Sequence, residues 1–188
     1  MIDTLVVGSG GNGQTYFMDF LLSCGININD HYDADRLKHL SHPNKLKTYI
    51  NRCIFLYNDP LASILSHYRR KWTFIQLEKL GNPYKLNKHD IKYLVDYFKL
   101  VENKKCDMYW IEYQFDNWFK EKNLTFPVLF LDFNDILKKK TIIDDFLGVK
   151  LNWKKFVIKE RNSKLDVDNP VVVEVYDELY RKIKEQTS

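Results

Sequence analysis

The sequence predicts an α/β fold with a parallel sheet, and three short apolar runs carry that expectation. Residues 4–7 (TLVV), 52–57 (RCIFLY) and 127–133 (PVLFLDF) have strand length and are rich in Val, Leu, Ile and Phe, as strands buried on both faces are. Helical patterns separate them, so the repeating unit is strand, loop, helix rather than strand, hairpin, strand. That unit gives right-handed crossovers, strands that run the same way and helices on both faces. The 188 residues, 45% of them hydrophobic, suit a single domain spanning 1–188 with a core of real size.

The first strand opens onto a loop that holds Gly8, Gly10, Gly11 and Gly13. Glycines let backbone N–H groups turn toward one point, and the next helix adds the positive end of its dipole there, so such a loop suits a phosphate. The Walker pattern is incomplete, because Gln14 and Thr15 stand where Lys and then Ser or Thr would follow the last glycine. An apolar-periodic helix covers 16–22 and stops near Gly25. Residues 26–50 are polar and irregular and hold Lys38, His39, Ser41, His42 and Pro43. After the second strand, Asp59 and Pro60 read as helix N-cap and first-turn proline. That helix is expected to run through Leu65, Tyr68 and Trp72 toward Gly81. Further helical patterns occupy about 88–102 and 108–121, with Trp110 and Trp118 expected in the core. Residues 150–169 look irregular, and 170–185 read as a closing amphipathic helix. In a sheet of this kind ligands bind beyond the C-terminal ends of the strands, which draws together residues 8–15, 58–60 and 132–135.

Charge and cysteine content narrow the classes of function. The net charge of +4, from 29 basic and 25 acidic residues, is mild and spread along the chain, and suits a small anionic ligand as well as it suits nucleic acid. No basic stripe interleaved with aromatics is present, so nucleic acid is not an expected partner. Cys24, Cys53 and Cys106 are odd in number and far apart, which gives neither a disulfide framework nor a zinc spacing and points to a reducing compartment. Without a leader pattern or an apolar run near membrane length, the chain is expected to be soluble and cytoplasmic, with no membrane partner.

Three segments then combine into a resemblance. GNGQTYF, IFLYNDPLASILSHYRR and FPVLFLDFNDILKKKTIIDDFLGV, in that order within residues 4–164, resemble the sulfotransferases that use 3′-phosphoadenosine-5′-phosphosulfate. That family has a P-loop-like, three-layer α/β/α fold around a central parallel sheet. Gly13 and Thr15 match its phosphosulfate loop, and Pro60 and Ser66 match its 3′-phosphate segment. Asp135, Phe146, Leu147 and Gly148 match the Tyr-Glu-Asp-Leu strand end and the Phe-Leu-Gly helix end, and Trp118 suits the helix before that strand. The pattern departs at two places: the family's loop lysine or arginine would fall near Gly11, and Asn58 stands where its 3′-phosphate arginine is expected.

The resemblance implies a donor nucleotide held at its phosphosulfate end by Gly11, Asn12, Gly13, Gln14, Thr15 and Tyr16. Its 3′-phosphate falls to Asn58, Ser66, Arg70 and Arg161, with Lys164 beside Arg161. Arg70 follows Ser66 by one helical turn and so can share its face. The implied reaction moves a sulfuryl group to a hydroxyl or amine acceptor without a metal. His42 is the first candidate for the base and His39 the alternative, while Lys38 or Lys45 supplies the missing cation. Two other readings stand beside it: a catalytically inactive nucleotide-binding module of the same fold, which the missing cations favour, and a divergent P-loop kinase, against which the absent Lys-Ser/Thr pair counts. His31, His67 and His89 are expected at the surface or partly packed.

Overall fold

The computed structural model of the chain describes residues 2–158 and 167–188. Three strands, β1 (Ile2–Val7), β2 (Ile50–Tyr57) and β3 (Val128–Asp132), form one parallel sheet in the order β1-β2-β3. Leu5 lies opposite Cys53, and Phe55 opposite Phe130. Seven α-helices accompany them among the described residues: α1 (Gln14–Ser23), α2 (Pro60–Arg70), α3 (Thr73–Leu80), α4 (Leu94–Lys104), α5 (Ile111–Lys120), α6 (Lys140–Leu147) and α7 (Pro170–Gln186).

Successive strand side chains point to opposite faces, and here both faces are apolar. Leu5, Val7, Cys53, Phe55 and Tyr57 pack in one cluster with residues of α2 to α5 and α7. Val6, Ile54, Leu56 and Leu131 pack in another with Phe17, Met18, Phe20 and Leu21 of α1 and Ile143 and Leu147 of α6. The continuous apolar runs exist because each strand must satisfy two cores at once. Among the described residues no helix is long and apolar enough to cross a membrane.

Polar residues set the ends of the elements. Asp59 Oδ1 accepts from the N–H of Ala62 at 3.1 Å with Pro60 in the first turn, as expected, and Asn169 with Pro170 starts α7 in the same way. Beyond β1, the amide of Asn29 acts as a short strand: Val6 N–H donates to its Oδ1 at 2.7 Å, and its Nδ2 donates to Val6 O at 3.2 Å. Thr4 N–H donates to Asn27 O at 3.0 Å beside it. Helix α7 is tied across the molecule by hydroxyls. Tyr176 meets the Tyr97 hydroxyl and donates to Asp107 Oδ1 at 3.1 Å, while Tyr180 donates to the buried Asp132 Oδ2 at 2.6 Å.

Four expectations need correction. The helix from Pro60 does not reach Gly81 but breaks at Lys71, whose backbone is left-handed (φ 60°). Lys71 N–H returns to Tyr68 O and Trp72 N–H to His67 O, both at 3.0 Å, which closes α2 before α3 begins. The helix expected from 88 starts at Leu94, because Asn87 and Asp90 bond their own local backbone in a turn instead. Trp118 is buried as expected, but Trp110 is only partly so and takes a left-handed backbone (φ 67°) ahead of α5. His67, expected at or near the surface, is buried in α2.

Candidate functional site

The loops after the three strands converge, as the parallel sheet requires. Asn12 Nδ2 donates to Leu56 O at 2.8 Å, which joins the glycine loop to β2. A Cβ on Gly13 would collide with the ring of Phe133, the residue after β3. Asn58 Oδ1 accepts from Asn134 Nδ2 at 2.7 Å, which joins the ends of β2 and β3.

Gly10, Gly11 and Gly13 all have left-handed backbones (φ 80°, 69° and 80°), which L side chains rarely adopt. Gly13 is the N-cap of α1 and brings no capping side chain. The N–H of Gln14 is taken by Asn12 Oδ1 at 3.1 Å, while those of Gly10, Gly11, Asn12, Gly13, Thr15 and Tyr16 meet no acceptor among the described residues. Left-handed residues ahead of a helix turn such N–H groups away from the regular ladder and leave them to an anion. Thr15 and Tyr16 are exposed there.

A cation stands beside this loop although none is in it. Lys38, only 5% exposed, brings Nζ to Thr15 Oγ1 at 2.7 Å, and its own backbone O accepts from Gly8 N–H and from Gln14 Nε2, both at 3.0 Å. Its backbone N–H donates to Asp33 Oδ1 at 3.1 Å, and Asp33 is in turn paired with Lys79 of α3. Burial pulls the Lys38 ammonium below its ordinary pKa, and the Asp33 carboxylate opposes that shift. An anion between Lys38 and the first turn of α1 would meet both the ammonium and the helix dipole. Lys45, the other candidate, donates instead to Ser41 Oγ at 2.9 Å. No protein-family model, curated protein sequence or solved structure matches the chain.

Two histidines, His67 buried and His39 half-buried, hold the loop from the other side. His39 Nδ1–H donates to Gly8 O at 2.8 Å, since a carbonyl only accepts. His67 Nδ1 meets the Tyr109 hydroxyl at 2.9 Å, and that hydroxyl donates to Thr73 O, so the imidazole donates and its Nε2 faces Gly10 and Gly11 as an acceptor. Burial lowers the pKa of His39 to about 4 and that of His67 to about 3, so both are neutral. Gln76 Nε2 adds a bond to Ser9 O at 2.6 Å.

The remaining expected residues make other contacts. His42 caps the short turn Pro43–Lys45, its Nδ1 accepting from Asn44 N–H at 3.1 Å, and lines an open groove of about 500 Å³ with Asp116, Asn117 and Lys120 of α5. Ser66 Oγ is buried without a partner among the described residues, as are Ser63 Oγ and Gln14 Oε1. Arg70 is exposed at the end of α2, its guanidinium 5.8 Å from the Trp72 ring centre. Tyr16 bonds the backbone of Val157 in both directions, at 2.6 and 3.0 Å. Arg161 and Lys164 lie outside the described residues. His67 and Gln76 escaped the sequence reading. The available signal was spacing, since Ser63, Ser66 and His67 recur at i, i+3 and i+4 on one face of α2.

Proposed function

We propose that the chain binds 3′-phosphoadenosine-5′-phosphosulfate with its phosphosulfate end at the head of α1, and transfers the sulfuryl group to a hydroxyl or amine acceptor. The observation that carries this is the Lys38 ammonium held on Thr15 beside a loop of undirected backbone N–H groups. It supports a P-loop-like fold in which the loop cation comes from the 26–50 segment. The residues present fit a doubly charged group there: Gly11, Asn12, Gly13, Thr15 and Tyr16 offer N–H donors, Thr15 a hydroxyl, and Lys38 a charge where the leaving phosphate gains one. Asn58, Ser66 and Arg70 are left for the 3′-phosphate, as the resemblance suggests.

Titration calorimetry tests this with adenosine 3′,5′-bisphosphate, the product of transfer, against ATP. The bisphosphate is expected to bind more tightly, and Lys38→Met to weaken it by about 10- to 100-fold, the worth of one charge-assisted hydrogen bond. Equal affinity for both nucleotides, or an unaffected K38M, would remove the donor assignment. A second reading, binding without transfer, is favoured by one observation: the imidazole that touches the loop, His39, is half-buried and held neutral with a pKa of about 4, which makes it a weak base.

A further inference from the structure

Sulfuryl transfer needs a group that takes the acceptor's proton, and a third imidazole stands where His39 and His42 do not. Lys38 Nζ donates to the backbone O of His31 at 2.6 Å as well as to Thr15 Oγ1, which fixes His31 at the head of α1. The His31 ring turns toward that helix, with Nε2 at 3.8 Å from Asp19 Oδ1. Asp19 follows Thr15 by four residues, one turn along the same face. The imidazole is 24% exposed and packs on the ring of Tyr32, centroids 3.9 Å apart. Ammonium, hydroxyl, imidazole and carboxylate are thus gathered over a single turn of α1, drawn from two segments distant in sequence.

We propose that His31 is the general base of this site and that Asp19 positions it. The proposal rests on the sulfuryl-transfer reading above. The Asp19 carboxylate, 3.8 Å from Nε2, favours the tautomer that carries its proton there, and in that tautomer Nδ1 keeps the lone pair that takes a proton. In the step, the acceptor's O–H proton passes to His31 Nδ1 and the acceptor oxygen bonds to sulfur. The bond from sulfur to the bridging phosphate oxygen breaks, and its electron pair stays on the phosphate, opposite Lys38 and the first-turn N–H groups of α1. A sulfate ester and adenosine 3′,5′-bisphosphate result, and His31 later gives its proton to water. The charged groups around the imidazole are Asp19 from α1, Asp30 from its own segment and the Lys38 ammonium.

The test combines binding, spectroscopy and turnover. The imidazole Cε1–H resonance of His31, identified by its loss in His31→Asn, is expected to move as adenosine 3′,5′-bisphosphate is titrated in. H31N should bind that nucleotide within about threefold of wild type, yet lower kcat about 10²–10³-fold when labelled donor is turned over with 2-naphthol. Asp19→Asn should lower kcat with KM unchanged, and Asp19→Glu should restore most of it. A His31 resonance that stays still while the Gly10 and Gly13 amides move, or wild-type turnover in H31N, overturns the base and leaves the donor assignment standing. Absence of nucleotide binding overturns the donor assignment and the base with it.

Discussion

At Gly13 two constraints fall on one missing atom. Its backbone sits at φ 80°, and a Cβ would run into the Phe133 ring. Gly13→Ala is therefore expected to cost about 1–2 kcal/mol from the left-handed backbone alone, with the collision on top. Urea unfolding of G13A, Phe133→Ala and the double variant separates the two, because the alanine should cost less once the ring is gone. Equal costs in both backgrounds would show that the ring yields freely. The glycines, Thr15 and Lys38 were legible in the sequence as residue types, since an anion loop of the kind proposed needs those chemistries. Which lysine reaches Thr15 was not, because Lys38 and Lys45 lie seven residues apart in a segment without periodicity. His31 and Asp19 were hidden for the same reason: their pairing depends on the path of residues 26–38, which no hydrophobic pattern reports.

Among the elements, α7 is held by hydroxyls at two levels. Tyr180→Phe removes the donor to the fully buried Asp132 carboxylate, and is expected to cost about 1–3 kcal/mol. Thr187→Ala removes a neutral bond, Tyr57 hydroxyl to Thr187 Oγ1 at 2.6 Å, and should cost about 0.5–1.5 kcal/mol. Denaturant melts check the order, and a larger loss in T187A would contradict the importance of the carboxylate. The strands and the Asp59-Pro60 start were readable because burial on two faces and the missing proline N–H leave direct marks on sequence. The break between α2 and α3 was not. Tyr68 and Trp72 continue a helical spacing, and Lys71 adopts a left-handed backbone that usually announces itself as glycine or asparagine.

For the whole molecule, the neutral histidines under the loop make stability depend on acid. Both have folded pKa values, about 4 and about 3, below the unfolded value near 6.5, so the unfolded chain binds more protons between those limits. Stability is thus expected to be complete above pH 7 and to fall as pH drops, by roughly 3 kcal/mol per imidazole on reaching pH 4. Thermal melts across that range check it, and His67→Gln should flatten the slope by about half. The parallel sheet itself was foreseeable from three apolar runs separated by helices, because short hairpins cannot join parallel strands. The Asn29 amide beside β1 has a consequence for behaviour in solution. A three-stranded parallel sheet ends in open ladders that invite a strand from another molecule. At Val6 the N–H and the carbonyl are both taken by the Asn29 amide, with Gln14 Nε2 a second donor to the carbonyl, and at Thr4 the N–H is taken by Asn27 O. These bonds take up that border at Val6 and at the Thr4 N–H, so Asn29→Ala, which frees Val6 N–H, is expected to make concentrated protein more prone to edge-to-edge association.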